Sequence, residues 1–164
     1  MPMSDALPER YRGFLEVDNG QYEEPADVFA WCGGAVLLKR AYLDDVGTFD
    51  ERFFLYYEDT DLSWRGQLRG WRYVYAPGAV VRHHHASSAG VGSALFRYST
   101  ERNRLLMLAK NETGRGFARN APFILGYEVL ALGHALLRER TLLPGYRDAL
   151  RLLPAARQRR RASA

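Results

Sequence analysis

The pattern of apolar and polar positions divides the chain into an unpatterned start, a mixed middle and a helical end. Up to residue 26 no period is sustained, and Pro2, Pro8, Gly13, Asn19-Gly20 and Pro25 punctuate a polar stretch, which predicts an irregular lead-in. From Asp27 the chain turns apolar, is broken by Gly33-Gly34, and resumes at Ala35–Leu38 as an expected strand. The glycine pair leaves two readings open: a bulge, or a place where another segment or a ligand approaches the backbone closely. Ala41, Leu43 and Val46 predict a short helix from Arg40 that Gly47 closes. A second helix is expected from a cap at Asp59 or Thr60 to Arg69, with Leu62, Arg65 and Leu68 at helical spacing and Gly70 as its stop. Strands are expected at Trp71–Tyr75 and Ala79–Val81, on either side of a Pro77-Gly78 turn. Leu95, Tyr98, Arg102, Leu105 and Leu106 then predict a helix over 95–108.

Beyond Asn111 two further helices are expected, at Ala121–Leu137 and Gly145–Leu153, separated by Pro144. The first is apolar around most of its circumference, the pattern of a helix that is buried or lies against lipid. The second sets Leu150, Leu152 and Leu153 beside Arg147 and Arg151. It reads equally as an interfacial anchor on anionic lipid and as half of a helical hairpin packed on protein. The resulting division is a lead-in (1–26), a mixed α/β part (27–112), a helical extension (113–156) and a basic tail (157–164).

Composition narrows the classes. In 164 residues, 47% hydrophobic with ten Tyr and eight Phe, there is enough material for one domain with a packed core. The net charge of +4 is matched by the four arginines at 157, 159, 160 and 161, so the rest of the chain is near neutral. A basic tail on a neutral body gives only weak support to a nucleic-acid-binding core, and aromatics are not interleaved with Lys and Arg on one face as such a core would need. The single Cys32 excludes an intrachain disulfide and a multi-cysteine zinc site, and fits a reducing cytoplasm. Neither a secretory signal nor an uninterrupted apolar run of bilayer length is recognised, which makes a soluble or membrane-surface protein the expectation.

The chemistry concentrates where an aromatic run, Phe53, Phe54, Tyr56 and Tyr57, meets three carboxylates, Glu58, Asp59 and Asp61. Acids beside buried aromatics need cations, hydrogen bonds or a chemical task. The alternative is an acidic first turn favoured by the helix dipole. No glycine-rich phosphate loop of either common pattern is present.

Residues in family-like order extend this. Gly34-Ala35 precedes Lys39-Arg40. Gly47, Phe49-Asp50-Glu51, Phe53-Phe54, Tyr56, Glu58-Asp59, Asp61-Leu62 and Arg65 follow, then Gly70, Pro77 and His83, and later Arg102-Asn103-Arg104 and Lys110-Asn111. Over residues 28 to 155 the chain resembles the acceptor half of inverting family 2 glycosyltransferases of GT-A fold, especially the bacterial rhamnosyl- and galactofuranosyl-transferase types. The resemblance implies an α/β fold: a partial GT-A (nucleotide-diphospho-sugar transferase) fold lacking its N-terminal nucleotide-binding half, followed by C-terminal helices. It implies Asp59 as general base and Glu58 beside it, with Trp31, Gly33, Gly34, Asp61 and Arg65 on the acceptor side. Trp31 reads equally as a plain core residue. It implies His83 as a ligand of Mn²⁺ or Mg²⁺ whose other ligands are absent from the chain. The implied partners are a nucleotide-sugar donor, a glycan or glycolipid acceptor of cell-envelope synthesis, a missing N-terminal half or partner chain, and the inner membrane surface.

Two departures shape the expectation. No upstream Asp-x-Asp is present, since the only acidic-x-acidic triplets are Asp59-Thr60-Asp61 and Glu16-Val17-Asp18. Gln67-Leu68-Arg69-Gly70-Trp71 only imitates the Gln-x-x-Arg-Trp of processive members, which implies a non-processive enzyme. Without a donor-binding half the chain is expected not to transfer sugar alone. The competing reading is a non-catalytic subunit or membrane-surface adaptor built on the same fold.

Overall fold

A computed structural model describes residues 12–13, 16–82 and 92–162, with side chains described up to residue 156. The chain is mixed α/β and mostly helical. In order it runs β1 (Ala26–Val28), α1 (Arg40–Val46), α2 (Glu58–Leu68), β2 (Tyr73–Tyr75), α3 (Ala94–Asn111), α4 (Gly114–Leu137), a single 3-10 turn (Arg140–Leu142) and α5 (Leu143–Ala162). The two strands pair antiparallel, Ala26 opposite Tyr75 and Val28 opposite Tyr73. Alternation turns Val28 and Tyr73 toward the core, while Asp27 and Arg72 form an ion pair outside.

Helix α2 stands between two cores. On one side Trp31, Tyr42, Val46, Leu62 and Tyr73 pack beneath the strands and α1. On the other, Phe53 and Trp64 meet Leu106 and Met107 of α3, Ile124 of α4 and Ala156 of α5. The Tyr42 hydroxyl donates to Leu62 O at 2.7 Å and the Tyr73 hydroxyl to Ser63 O at 2.8 Å, so both tyrosines lie against the helix backbone. This explains Gly66: a Cβ there would come 1.9 Å from the Tyr73 hydroxyl and 2.6 Å from the Tyr42 ring.

Several expectations are corrected. Ala35–Leu38 forms no strand: the chain turns from Cys32 to Ala35 (N···O 3.1 Å), and Val36 and Leu37 are exposed with no ladder to join. Ala79–Val81 likewise forms no strand, because the Ala79 amide closes a turn on Ala76 O and Val80 and Val81 face outward. Neither Asp59 nor Thr60 caps α2. The helix starts at Glu58 behind Tyr57, which has left-handed backbone geometry and no side-chain cap bond. Helix α4 begins seven residues earlier than its apolar pattern, since Thr113 caps it by accepting the Gly116 amide at 2.9 Å. Pro144 lies in the first turn of α5, where a missing N–H is tolerated, and the helix continues through the arginines expected to be a separate tail. Helices α1, α2 and α3 and strand β2 form within a few residues of expectation, with Gly47 and Gly70 at φ of 85° and 86° just beyond their helices.

Candidate functional site

Asp59 is placed by a spacing match between a helix and the segment that follows β1. Asp59, Ser63 and Gln67 repeat every four residues, so they share one face of α2 with a rise of about 6 Å between them. Phe29, Trp31 and Gly33 alternate along the segment after β1, a two-residue step of at most about 6.6 Å. The two periods agree, and the segments run antiparallel, joined by three hydrogen bonds. Gln67 Nε2 donates to Phe29 O (3.1 Å), the Trp31 amide donates to Ser63 Oγ (3.3 Å), and the Gly33 amide donates to Asp59 Oδ2 (2.9 Å). Asp59 is the open end of this ladder. Its second oxygen, Oδ1, accepts the Thr60 amide at 2.8 Å, so both oxygens lean on backbone N–H groups while the side chain stays partly exposed. Gly33-Gly34 thus form a turn that reaches Asp59, and the bulge reading is not realised. A Cβ at Gly33 would sit 3.5 Å from Asp59 Oδ2, ordinary contact, so the amide of residue 33 matters here more than its lack of a side chain.

The turn before α2 is strained. Phe54, Tyr56 and Tyr57 all have positive φ (57°, 69° and 66°), a region that aromatic residues seldom occupy and that disfavours them by about 1–3 kcal/mol each. Helix α3 holds the turn in place. The buried Asn103 Nδ2 donates to Phe53 O (2.7 Å), Leu55 O (2.8 Å) and Tyr56 O (2.8 Å). Arg102 Nη2 donates to Arg52 O and Phe53 O, and its Nε donates to Asn103 Oδ1 at 2.9 Å, which fixes the amide's orientation. Glu58-Asp59 therefore leave a turn whose shape is imposed from residues about fifty positions away. Asn103→Leu is expected to lower unfolding free energy by about 2–4 kcal/mol, because three carbonyls lose their shared donor. Chemical denaturation measures this, and a loss under about 1 kcal/mol would mean the turn holds itself.

Behind the turn lies an ionic knot. Lys110 Nζ donates to Asp50 Oδ2 (2.9 Å) and Asp61 Oδ2 (2.7 Å), and all three side chains are at most 5% exposed. Arg52 pairs with Asp50 at 2.5 Å, Arg65 Nε with Asp61 at 3.0 Å, and Asn111 Nδ2 donates to Asp61 Oδ1 at 2.8 Å. Arg65 also donates to Val46 O and Thr48 O. Asp61 is thus fully buried, with its oxygens taken by three partners, whereas Asp59 stays partly exposed. Arg65 is turned inward with it. The physical reason is helical phase: Asp61 lies two residues past Asp59, about 200° around α2. Both side chains are therefore engaged inside the fold, Asp61 by Lys110, Arg65 and Asn111 and Arg65 by Asp61 and two carbonyls.

Glu58 remains near Asp59. Burial raises its carboxyl above the ordinary carboxylate range, and the Asp59 charge adds to the effect. Its Oε2 is buried without a hydrogen-bond partner among the described residues, leaving acceptor capacity for an incoming hydroxyl. Trp31 packs in the core, with 9% of the residue exposed and its ring meeting Phe49 edge-on at 6.2 Å. Gly34 lies exposed in the turn. His83 lies outside the described residues. Among the described residues no group of three or more His, Cys, Asp or Glu gathers to hold a metal ion. Asp50 and Asp61 are committed to Lys110 and so are not free to ligate a divalent ion. Gln67, Arg69 and Trp71 are structural: Arg69 pairs with Asp45 (2.9 Å) and the Trp71 indole donates to the same carboxylate (2.7 Å).

Residues 13–105 match the family described as glycosyl transferase family group 2. The chain belongs to that family. Eighty-five of its residues are 40% identical to an N-acetylglucosaminyl-diphospho-decaprenol L-rhamnosyltransferase of Mycobacterium tuberculosis, in both strain CDC 1551 / Oshkosh and strain ATCC 25618 / H37Rv. The alignment covers 51% of this chain and 28% of each relative, so the chain spans under a third of the length of the curated relatives it matches. No solved structure matches. The family group 2 match includes the ladder, the strained turn and Asn103, and ends before Lys110 and Asn111. Ser63, Gln67, Asn103 and Lys110 had no assigned role in the sequence reading. The signal for the first two was present as polar residues at i, i+4 and i+8 from Asp59, a pattern that otherwise marks a solvated helix face.

Proposed function

We propose that this chain is the acceptor side of a nucleotide-sugar-dependent, inverting, non-processive glycosyltransferase, with Asp59 as general base. The observation that carries the reading is the Asp59 carboxylate, fixed by the Gly33 and Thr60 amides yet partly exposed. General-base catalysis needs a carboxylate held within hydrogen-bond reach of the nucleophile. Asp59 takes the proton of an acceptor hydroxyl as that oxygen attacks the anomeric carbon. The new C–O bond forms on the face opposite the nucleotide diphosphate, the bond to diphosphate breaks, and the configuration inverts. Glu58 orients the acceptor through its unpartnered Oε2. The Gly33-Gly34 turn forms the floor beside Asp59, and the ionic knot with Asp61 and Arg65 supports it from behind.

In this reading the fold is the acceptor portion of a GT-A domain. The two-stranded sheet and α2 form its base, and the donor-binding βαβ half comes from another segment or chain. Similarity to the mycobacterial rhamnosyltransferases makes an L-rhamnosyl donor and an N-acetylglucosaminyl-diphospho-lipid acceptor the first pair to test, at the inner face of the plasma membrane. The assay compares the chain alone with the chain joined to a family donor-binding half, using dTDP- and UDP-sugars. Turnover is expected only in the joined protein, and NMR of the product should give the inverted anomer. A retained anomer, or no transfer by a folded joined protein, would overturn the reading.

A further inference from the structure

Helix α4 is built inside out. Its inward stripe carries Asn120, Ile124, Glu128, Ala131 and Ala135, which are polar or small apart from Ile124. Glu128 is held there by Arg104, which also pairs with Glu101 at 2.8 Å. The outward face carries Phe123, Leu125, Val129, Leu130, Leu136 and Leu137, exposed by 49–84%. An amphipathic helix on a water-soluble domain has the opposite arrangement. The helix is apolar and long enough to qualify as a membrane span, yet only 17% of its most apolar window is buried, so it is not the core helix of this domain. Contiguous exposed apolar surface on this scale marks a docking face.

Charge identifies what docks. Glu128 is the only acidic residue in α4 and it faces inward, so the outward face has no negative charge. Arg115 and Arg119 precede the apolar stretch on that outward face, and Arg138 follows it. All three are exposed and without an ion-pair partner among the described residues. Apolar residues bounded at both ends by unpaired arginines complement an anionic lipid surface, where the side chains enter the acyl boundary and the guanidinium groups meet phosphates. The position of the charges favours a helix lying flat over one that crosses. A transmembrane orientation would carry the Arg104–Glu128 pair, and α3 with it, into hydrocarbon. The apolar part, residues 121–137, is also only about 25 Å long, short of a full span of about 30 Å.

We propose that the outward face of α4 seats this chain in the plane of an anionic membrane surface, Arg115, Arg119 and Arg138 contacting headgroup phosphates and Val129, Leu130 and Leu137 entering the acyl boundary. The surface is independent of the transferase reading and is tested without turnover. Flotation with phosphatidylcholine vesicles, with and without phosphatidylglycerol, should recover the chain with the anionic vesicles and release it in high salt or alkaline carbonate. Arg115→Ala with Arg119→Ala should weaken partition roughly fivefold per arginine. Leu130→Gln with Leu137→Gln should abolish it. Leu130→Cys in a Cys32→Ser background, carrying an environment-sensitive fluorophore, keeps the site readable if the glutamine variants misfold: its emission should shift blue only when anionic vesicles are added. A blue-shifted probe without vesicles that depends on protein concentration would assign the face to a second copy of the chain and overturn the proposal. Retention after carbonate would indicate a span, and equal binding to neutral vesicles would remove the role of the arginines. Either would overturn it as well.

Discussion

Asp59→Asn is expected to reduce kcat by roughly 10²–10⁴-fold in the joined, donor-competent enzyme, while nucleotide-sugar affinity stays within a few fold. The substitution keeps the size and one acceptor oxygen but removes the base. It also has a small structural consequence. Asp59 accepts two backbone N–H groups, one on each oxygen. An asparagine can satisfy only one of them and turns its own amide toward the other, which is expected to destabilise the fold by about 1 kcal/mol. Ser63→Ala separates the two effects. It removes the middle rung of the ladder, the bond from the Trp31 amide, but leaves the carboxylate in place. Ser63→Ala should match the stability loss of Asp59→Asn and retain most of the rate. Initial-rate kinetics beside titration calorimetry with the donor measure both quantities. If Asp59→Asn turns over within about tenfold of the parent, proton removal lies elsewhere and Glu58 becomes the candidate.

How much of this could be read in the chain depends on how local each cause is. Helices α1, α2 and α3 follow from short-range period, and Gly47 and Gly70 mark their ends because positive φ is a local demand that glycine meets. The Ala35–Leu38 strand failed for a non-local reason, since a strand needs a partner and none of the described residues supplies one. The cluster Glu58, Asp59 and Asp61 was legible as a site, but three carboxylates within four positions face different ways on a helix. Phase sends Asp61 into the interior and leaves Asp59 at the surface. The strained turn was not legible: Phe54, Tyr56 and Tyr57 have no local preference for positive φ. Their conformation is selected by Asn103 and Arg102, which lie about two turns ahead of Lys110 on α3. Sequence order placed those residues near the end of the family resemblance, with nothing to say that they reach back to the turn. Helix α4 shows the reverse case. Its apolar circumference was plain from the sequence, but only the structure reveals which side is buried, and it is the polar side.

Lys110→Met is expected to produce the largest stability loss, about 3–5 kcal/mol, because it removes one cation shared by two buried carboxylates. Lys110 Nζ lies 2.9 Å from Asp50 and 2.7 Å from Asp61. After the change each acid keeps its own arginine but faces the other without a screening charge. The loss should depend on pH in a defined direction. Burial alone would raise the Asp50 carboxyl, but its bonds from Arg52 and Lys110 outweigh that and hold it well below its ordinary value of 3.8. A depressed carboxylate adds stability above its unfolded pKa and loses that contribution as pH falls through the folded one. The parent should therefore lose stability progressively in acid, starting below about pH 4 and continuing as pH falls through the depressed Asp50 pKa. Lys110→Met lacks much of that contribution from the start, so the gap between the two should be widest near neutrality and narrow toward acid. Asp50→Asn in the Lys110→Met background should recover part of the loss, as neutralising one of the two facing carboxylates relieves their repulsion. Urea denaturation across pH measures each of these. A deficit that does not change with pH would mean that packing of the lysine stem against Phe53, over whose ring Nζ lies at 5.4 Å, matters more than its charge. Because the knot ties α3 to the first turn of α2, the same variant should also lower kcat. Its donor affinity should be unchanged, since Lys110 acts on the position of Asp59 and touches no substrate.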